Sequence, residues 1–473
     1  MPNYFPSYFS RKAIILYFVA LIIVSLLFFS HALPVVWILF GSVSVVGFFL
    51  GSRTFTHKWQ TYSPHTFVER LFWTALIVRV VYVVISYFFY QWQTGQPFEF
   101  SSADALFYHD IARFGHGLIS QGNFHFLDEF ERYSGGLAIS DTGYPLYLSF
   151  IYYLTDDSII ITRLLKAIYS AYMCVLIYRV ATRNFGEAVG RMSAIFAMCL
   201  PHFIYYCGLH LKEVEMVFLT VWFLERADYL LRSNRYTLQT IFFPLLLAVT
   251  LFFFRTVLGL SALFAFFSAL LLSNIRTLRM NKKLLIGFWM LLLMIFFFGG
   301  RISNEVEELW VKKTNNQETS MEWRSEREGG NAYAKYAGSA LFAPLIFTIP
   351  FPTMVYIPYQ ENQMLMNGSN FVKNITSFFT ILAIFFLVWR KQWRPHTLLL
   401  AFIAGYLAII SFSAFAQSER FHLPSLPVAM ILAAYGVSQM TNRHKRLFLF
   451  WVGIIFIAII VWGWFKLSGR GMV

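Results

Sequence analysis

Long apolar runs follow one another along most of the chain, and their succession is the strongest constraint on its fold. A helix needs about 20 apolar residues to cross roughly 30 Å of hydrocarbon, and about thirteen stretches qualify once snorkelling at the flanks is allowed. They cover residues 13–31, 34–51, 71–90, 159–181, 188–208, 214–231, 238–254, 257–273, 284–299, 371–389, 398–415, 425–440 and 447–464. Backbone polar groups in hydrocarbon must be satisfied within the segment that carries them, so such runs fold as helices. The expected fold is an all-α polytopic membrane protein of about thirteen transmembrane helices, a single transmembrane domain with external juxtamembrane helices. Composition agrees: 58% of the 473 residues are hydrophobic, 20% aromatic and 13% charged. That is about half the charge of a soluble domain, which excludes a soluble enzyme, a disordered chain and a coiled coil.

The net charge of +14 does not come from a basic arm, so nucleic acid is not an expected partner. Lys and Arg instead gather at Arg53/Lys58/Arg70, Arg179/Arg183/Arg191, Arg232/Arg235, Arg276/Arg279/Lys282/Lys283, Arg390/Lys391/Arg394 and Arg443/Lys445/Arg446, at every second loop. The positive-inside rule then places the N-terminus in the cytoplasm and the C-terminus outside. Two long loops, 91–158 and 300–370, become external. Arg11 and Lys12 precede the first run without a small-residue cleavage site, so that run reads as an uncleaved helix. A prokaryotic inner membrane is the expected location. Cys174, Cys199 and Cys207 lie in apolar stretches without CxxC spacing and read as buried thiols. Segment 340–356 is apolar enough to cross, but a crossing there would invert every later basic cluster, and Pro344, Pro350 and Pro352 break it. It is expected to dip into the outer leaflet, as is 144–154, which is too short to span.

The first external loop is acidic, and SSADALFYHDIARFGHGLIS within it has the period of an amphipathic helix. Ser102 offers an N-cap, and Phe107, Ile111, Phe114 and Leu118 form the apolar stripe. Asp104 and Tyr108 share a face; Asp110 lies on another and is expected to pair with Arg113. Taken alone, Asp104 is most simply a solvated acid favoured by the helix dipole. His109, His116 and His125 lack the spacing of metal ligands. Further on, PHFIYYCGLHLKEVEM puts His210, Lys212, Glu213 and Glu215 between two spans, where ionisable groups default to functional candidates. The competing reading is a polar turn in which Lys212 and Glu215 neutralise each other. Arg255 and Arg420 are cations on apolar ground that either hold a phosphate or snorkel to headgroups. The mixed-sign run from Arg301 to Lys335 reads as a solvated external helix or a lid.

Three stretches together resemble the GT-C superfamily of integral-membrane glycosyltransferases, in particular bacterial relatives of protein mannosyltransferases and of lipid A aminoarabinose transferases. They are DALFYHDIA followed by GYPLYLSFIYYL and TRLLKAIYSA; the segment from Pro201 to Glu213; and ERFHLPSLPVAMILAAYGV. The resemblance implies transfer of a sugar from a polyprenyl-phosphate donor to a glycan, lipid or protein acceptor at the external face, with inversion. It implies Asp104 as catalytic base, Glu213 as a second acid, and Arg420, with Arg255 and Lys212, at the donor phosphate. Tyr108, Tyr144, His210 and His422 would line the cavity. The sequence requires no cofactor and has no Gly-rich nucleotide motif; because Asp104 stands singly where many relatives carry an acid pair, a divalent cation is left open. Two other readings compete: an envelope-glycan polymerase or ligase, suggested by the loop 300–370, and a transporter or flippase of lipid-linked sugars, for which the expected internal repeats are missing.

Overall fold

The computed structural model describes residues 3–134, 139–233, 237–273, 287, 321–323, 325–326, 330–336, 339–413 and 415–473. The predicted span 284–299, the basic cluster Arg276/Arg279/Lys282/Lys283, Arg235 and most of the mixed-sign run from Arg301 to Glu328 lie outside them. Among the described residues the secondary structure is helical, apart from one β-bridge between Ala32 and Val355.

The chain opens with α1 (Ser7–Leu27), α2 (Val35–Lys58) and α3 (Pro64–Thr94). A surface arm follows, α4 (Ala103–Ser120), α5 (Phe126–Ser134) and α6 (Ile139–Thr155). The central bundle is α7 (Ile159–Phe185), α8 (Glu187–Cys199), α9 (Pro201–Tyr205), α10 (Glu213–Arg232), α11 (Leu238–Phe254) and α12 (Thr256–Leu272). The C-terminal part holds α13 (Ser339–Leu345), α14 (Glu361–Leu365), α15 (Asn367–Trp389), α16 (Thr397–Ser411), α17 (Glu419–His422), α18 (Leu426–Ser438) and α19 (Asn442–Ser468).

Among the described residues, eight helices are long and apolar enough to cross a membrane, and nine if α8 and the bent Pro201–Gly208 piece count as one span. Of the thirteen expected segments, those left over are α10, α11, α12 and 284–299, the last of which lies outside the described residues. The difference has physical causes: α11 and α12 are 17 residues each, and α10 carries Glu213, Glu215, Glu225, Asp228 and Arg232 among its buried or half-buried residues.

Local chemistry sets the helix ends. At α3, Pro64 occupies the first turn and the Ser63 hydroxyl accepts the Thr66 N–H at 3.2 Å; Gly95, at φ 76°, closes the other end in a conformation only glycine adopts freely. The α8–α9 join bends by 49° at Pro201, which has no N–H to donate back to Ala197. Arg79 of α3 fills that gap. Fully buried, its guanidinium donates to the carbonyls of Ala197 and Met198 at 3.3 Å each and to Ser170 Oγ at 2.7 Å. An arginine at membrane depth thus serves as the cap of a broken helix.

Charge elsewhere gathers at two poles of the α7/α10 pair. At one, Arg183 binds Glu225 and Asp228 at 2.8 Å, and Arg232 binds Asp228 at 2.8 Å. At the other lie Arg163, Lys166, Glu213 and Glu215. About 25 Å of helix axis separates Lys166 from Arg183 at 1.5 Å per residue, close to the thickness of a hydrocarbon core. Helices pack closely where glycines face a neighbouring backbone: a Cβ on Gly368 of α15 would stand 2.3 Å from the Gly41 carbonyl oxygen of α2, and one on Gly436 of α18 2.1 Å from the Phe379 carbonyl oxygen of α15.

Segment 340–356 is a seven-residue helix, α13, followed by irregular backbone. Its exposed carbonyls are claimed by α15: Ser377 donates to Phe347, Asn374 to Thr348 and Pro350, and Lys373 to Ile349. In the surface arm, α4 forms where expected, but Ser102 makes no cap bond and the buried face is Ala105, Tyr108, Ile111, Ala112, Gly115 and Leu118. Phe107, placed in the apolar stripe by its spacing, is exposed; the helix turns its small residues and Tyr108 to α6 instead. Arg113 pairs with Asp157 at 3.0 Å, not with Asp110.

Replacing Arg79 with Leu leaves two carbonyls and Ser170 without donors. We expect a loss of roughly 2–4 kcal/mol, from the cost of unsatisfied buried polar groups, measured as a lower apparent Tm of the purified protein in detergent. Arg79→Lys, which keeps a donor, should recover part of it.

Candidate functional site

Three helix starts converge at one pole of the bundle. Asp104 lies in the first turn of α4, Glu213 and Glu215 in the first turn of α10, and Arg420 in the single turn α17. Helix N-termini favour carboxylates, which fits the three acids in the first turns of α4 and α10. Arg255 occupies the extended residue that joins α11 to α12, so its side chain leaves the apolar pair at the joint.

The side chains form a linked cluster. Arg420 contacts the Asp104 carboxylate at 2.6 Å through one amino group and Glu213 at 3.8 Å through Nε. Arg255 reaches the same Glu213 oxygen at 4.0 Å. Both guanidinium groups lie against the Phe421 ring, Arg255 at 4.3 Å and Arg420 at 5.2 Å from its centre. Lys212 pairs with Asp141 and donates to the Phe254 carbonyl at 2.8 Å, with its ammonium over the Tyr108 ring. Of the two acids bound to Arg420, Asp104 is the reachable one, with 49% of its side chain exposed against 3% for Glu213; Asp141, 41% exposed, is held by Lys212. Glu213 Oε2 and one Arg255 amino group are buried without a hydrogen-bond partner, so the cluster holds unused donor and acceptor capacity.

A second layer lies beneath. Lys166 stands 3.8 Å from Glu215, donates to the carbonyls of Leu209 and Leu211, and sits over the Tyr144 ring. Tyr144 meets Tyr108 edge to face at 5.2 Å between centres. The Tyr152 hydroxyl bridges His109 Nδ1 at 2.7 Å and His210 Nε2 at 3.1 Å. Burial, reinforced by Arg113, pushes His109 below the usual histidine range; burial, reinforced by Lys166 and Arg163, pushes His210 far below it. Burial also lowers the Lys212 ammonium, opposed by Asp141.

Asp104, Glu213, Arg420, Arg255, Lys212 and Tyr108 are therefore brought together, with Tyr144 and His210 behind them. His422 is not among them. Its Nε2 faces the Ala416 carbonyl at 2.8 Å and its ring lies with Lys373 away from the cluster, because two residues of helix rotate the side chain by about 200°. The polar-turn reading of Lys212 with Glu215 fails: each has its own partner on another helix. Arg255 and Arg420 do not snorkel; both turn inward to carboxylates. Sequence reasoning missed Asp141 and Lys166. Lys166 had a signal, since Arg163 and Lys166 place two cations on one face at the start of an apolar span; Asp141 had none, its role arising only when α6 folds back on Lys212. Among the described residues, no three His, Cys, Asp or Glu side chains converge to hold a metal ion.

Both imidazoles are held neutral in the folded protein, while in the unfolded chain they titrate near 6.5. Their contribution to stability is thus complete above that value and is lost as pH falls through the depressed folded values. Apparent Tm should fall between pH 7.5 and pH 5, and His210→Gln should flatten that acid limb.

No family model, curated protein or solved structure matches the chain.

Proposed function

We infer that the chain is an integral-membrane glycosyltransferase that takes a sugar from a polyprenyl-phosphate donor at the external face of the membrane. The observation that supports this best is the Asp104–Arg420–Glu213–Arg255 cluster: one reachable carboxylate beside two cations, of which Arg255 has an unpartnered amino group, at one pole of an apolar bundle. Displacement at an anomeric carbon asks for these groups. The acceptor hydroxyl oxygen attacks the carbon while Asp104 takes its proton. The bond from that carbon to the phosphate oxygen breaks, and the leaving phosphate keeps the electron pair, stabilised by Arg420 and Arg255. Inversion follows from a single displacement.

In the unliganded protein Arg420 is bound to Asp104, so the base and the phosphate cation neutralise each other. A donor phosphate that draws Arg420 away frees the Asp104 carboxylate for the incoming hydroxyl. Glu213, buried between the two arginines, acts as a positioning residue for both and not as a group that meets the acceptor. Lys212, held by Asp141 and the Phe254 carbonyl, fixes α6 against the joint of α11 and α12 and stands ready as a third phosphate contact. The reading includes about thirteen crossings, an N-terminus in the cytoplasm, a C-terminus outside and a prokaryotic inner membrane. The resemblance to the GT-C superfamily supports the order of these elements. The acceptor is a hydroxyl-bearing glycan, lipid or protein, and any divalent cation would join through chemistry other than a three-ligand side-chain site among the described residues.

The test is release of free polyprenyl phosphate from polyprenyl-phosphate monosaccharides by the full chain in nanodiscs with crude envelope acceptors. Wild type should release it, and Asp104→Asn should be slower by about 10²–10⁴-fold, the usual worth of a general base. Equal release by both would remove Asp104 from the mechanism; binding of donor without release by wild type would favour a transporter or a polymerase. Arg420→Lys, which loses the fork that spans Asp104 and Glu213, should raise KM for the donor more than it lowers kcat.

A further inference from the structure

The pole of the bundle away from the Asp104 cluster is uneven in charge. Around α7, α8 and α10 its cations stand among acids: Arg183 binds Glu225 and Asp228, Arg232 binds Asp228, and Arg191 binds Glu187 at 2.6 Å. Around α1, α15 and α19 there are no acids to bind. Arg11 and Lys12 lie near the start of α1, Arg390 and Lys391 just past the end of α15, and Arg443, Lys445 and Arg446 in the first turns of α19. None of the three helices contains an Asp or a Glu. Among the described residues, none of these cations is ion-paired with a carboxylate.

Packing holds the three helix ends in one corner. Phe448 of α19 meets Phe9 of α1 at 4.9 Å and Phe378 of α15 at 5.4 Å between ring centres. His444 meets Phe386 edge to face at 5.4 Å, and the Arg390 guanidinium lies 4.9 Å from the centre of the same ring. Lys445 stands over the Tyr8 ring at 5.5 Å, one turn before Arg11 and Lys12. Aromatic faces soften this gathering of like charge but do not neutralise it. The counter-charge has to come from outside the chain.

The residues below the cations say what carries it. On α1, Ile15 and Ile22 follow Arg11 at i+4 and i+11, on the same face, and both are exposed. On α19, Phe450, Ile457 and Val461 follow Arg446 at i+4, i+11 and i+15, again on its face and again exposed. Both helices are long and apolar enough to cross a membrane. Each stripe thus runs from a cation at the helix start into hydrocarbon-facing side chains. A free anion or an acidic protein would meet the cations and leave the stripes in water; an anionic head on apolar chains meets both.

We propose that the corner formed by α1, α15 and α19 binds an anionic phospholipid, with Arg11, Lys445 and Arg446 on the headgroup phosphate and the acyl chains lying along the stripes of Ile15 and Phe450. The site is open surface, where Arg11 and Arg446 keep their charge in contact with water. It is separate from the Asp104 cluster and does not rest on the transferase reading.

The full chain is purified in mild detergent and offered phosphatidylglycerol and phosphatidylcholine with the same chains, and the lipids retained are counted by native mass spectrometry. Wild type should prefer phosphatidylglycerol by at least about tenfold, since each basic residue near an anionic headgroup is worth about fivefold. The preference should shrink as ionic strength rises. Arg446→Gln should lower it about fivefold, Arg446→Lys should keep it, and Arg11→Gln with Arg446→Gln should remove it. Arg179→Gln, the same change of charge at an exposed position of α7, should leave it unaltered. Equal retention of phosphatidylcholine by wild type, or an undiminished preference in the double variant, would overturn the proposal. An equal fall in Arg179→Gln would do the same, by making this corner one part of a generally basic pole. Full displacement of the lipid by inorganic phosphate would show a site for free anions and overturn the lipid assignment.

Discussion

An ionic group buried among apolar helices must find a partner or cost several kcal/mol, and most of this molecule's architecture can be traced to how it meets that requirement. Arg183, Glu225, Asp228 and Arg232 meet it by pairing at one pole. Arg79 meets it with the carbonyls that Pro201 leaves open, so a break in one helix and a charge in another are each the answer to the other. Arg420, Arg255, Glu213 and Asp104 meet it collectively. The long apolar helices carry the fold, but where they bend, stop and approach each other is decided by a small set of polar atoms.

Hydropathy makes the helical segments legible because it is a local property: the apolar runs in the described residues are helices. It does not say which runs cross. A run of 17 residues such as α11 is short for a full span, and a helix such as α10 has the length but buries several acids. The amphipathic helix α4 was also legible, and so was part of its buried face: Ile111 and Leu118 are buried as the spacing expects, whereas Phe107 faces out and Tyr108 is buried in its place. Spacing gives a helix its period, and the neighbouring helix chooses the phase.

For the candidate site the same division holds. Asp104, Glu213, Arg255 and Arg420 could be picked out singly as charges on apolar ground. Their mutual contact could not, because it joins α4, α10, the α11–α12 joint and α17, which only the folded bundle brings to one place. His422, two residues from Arg420, shows the limit: proximity in sequence suggested a shared cavity, and a rotation of about 200° over two helical residues sent it elsewhere. Lys212 and Glu215 fail in the reverse way, neighbours along the chain whose partners Asp141 and Lys166 are far along it.

The Asp104 cluster, with Asp104, Asp141 and Glu213 set against Arg255, Arg420 and Lys212, carries as many acids as bases. A balanced cluster of this kind has little long-range field with which to gather passing anions, unlike a bare patch of arginines. A ligand has to trade one carboxylate for its own oxygen at each cation, a swap of near-equal partners that salt in the medium barely tips. Discrimination then falls to whatever else the ligand touches, its ring and its tail, so that abundant small anions gain nothing from their concentration alone.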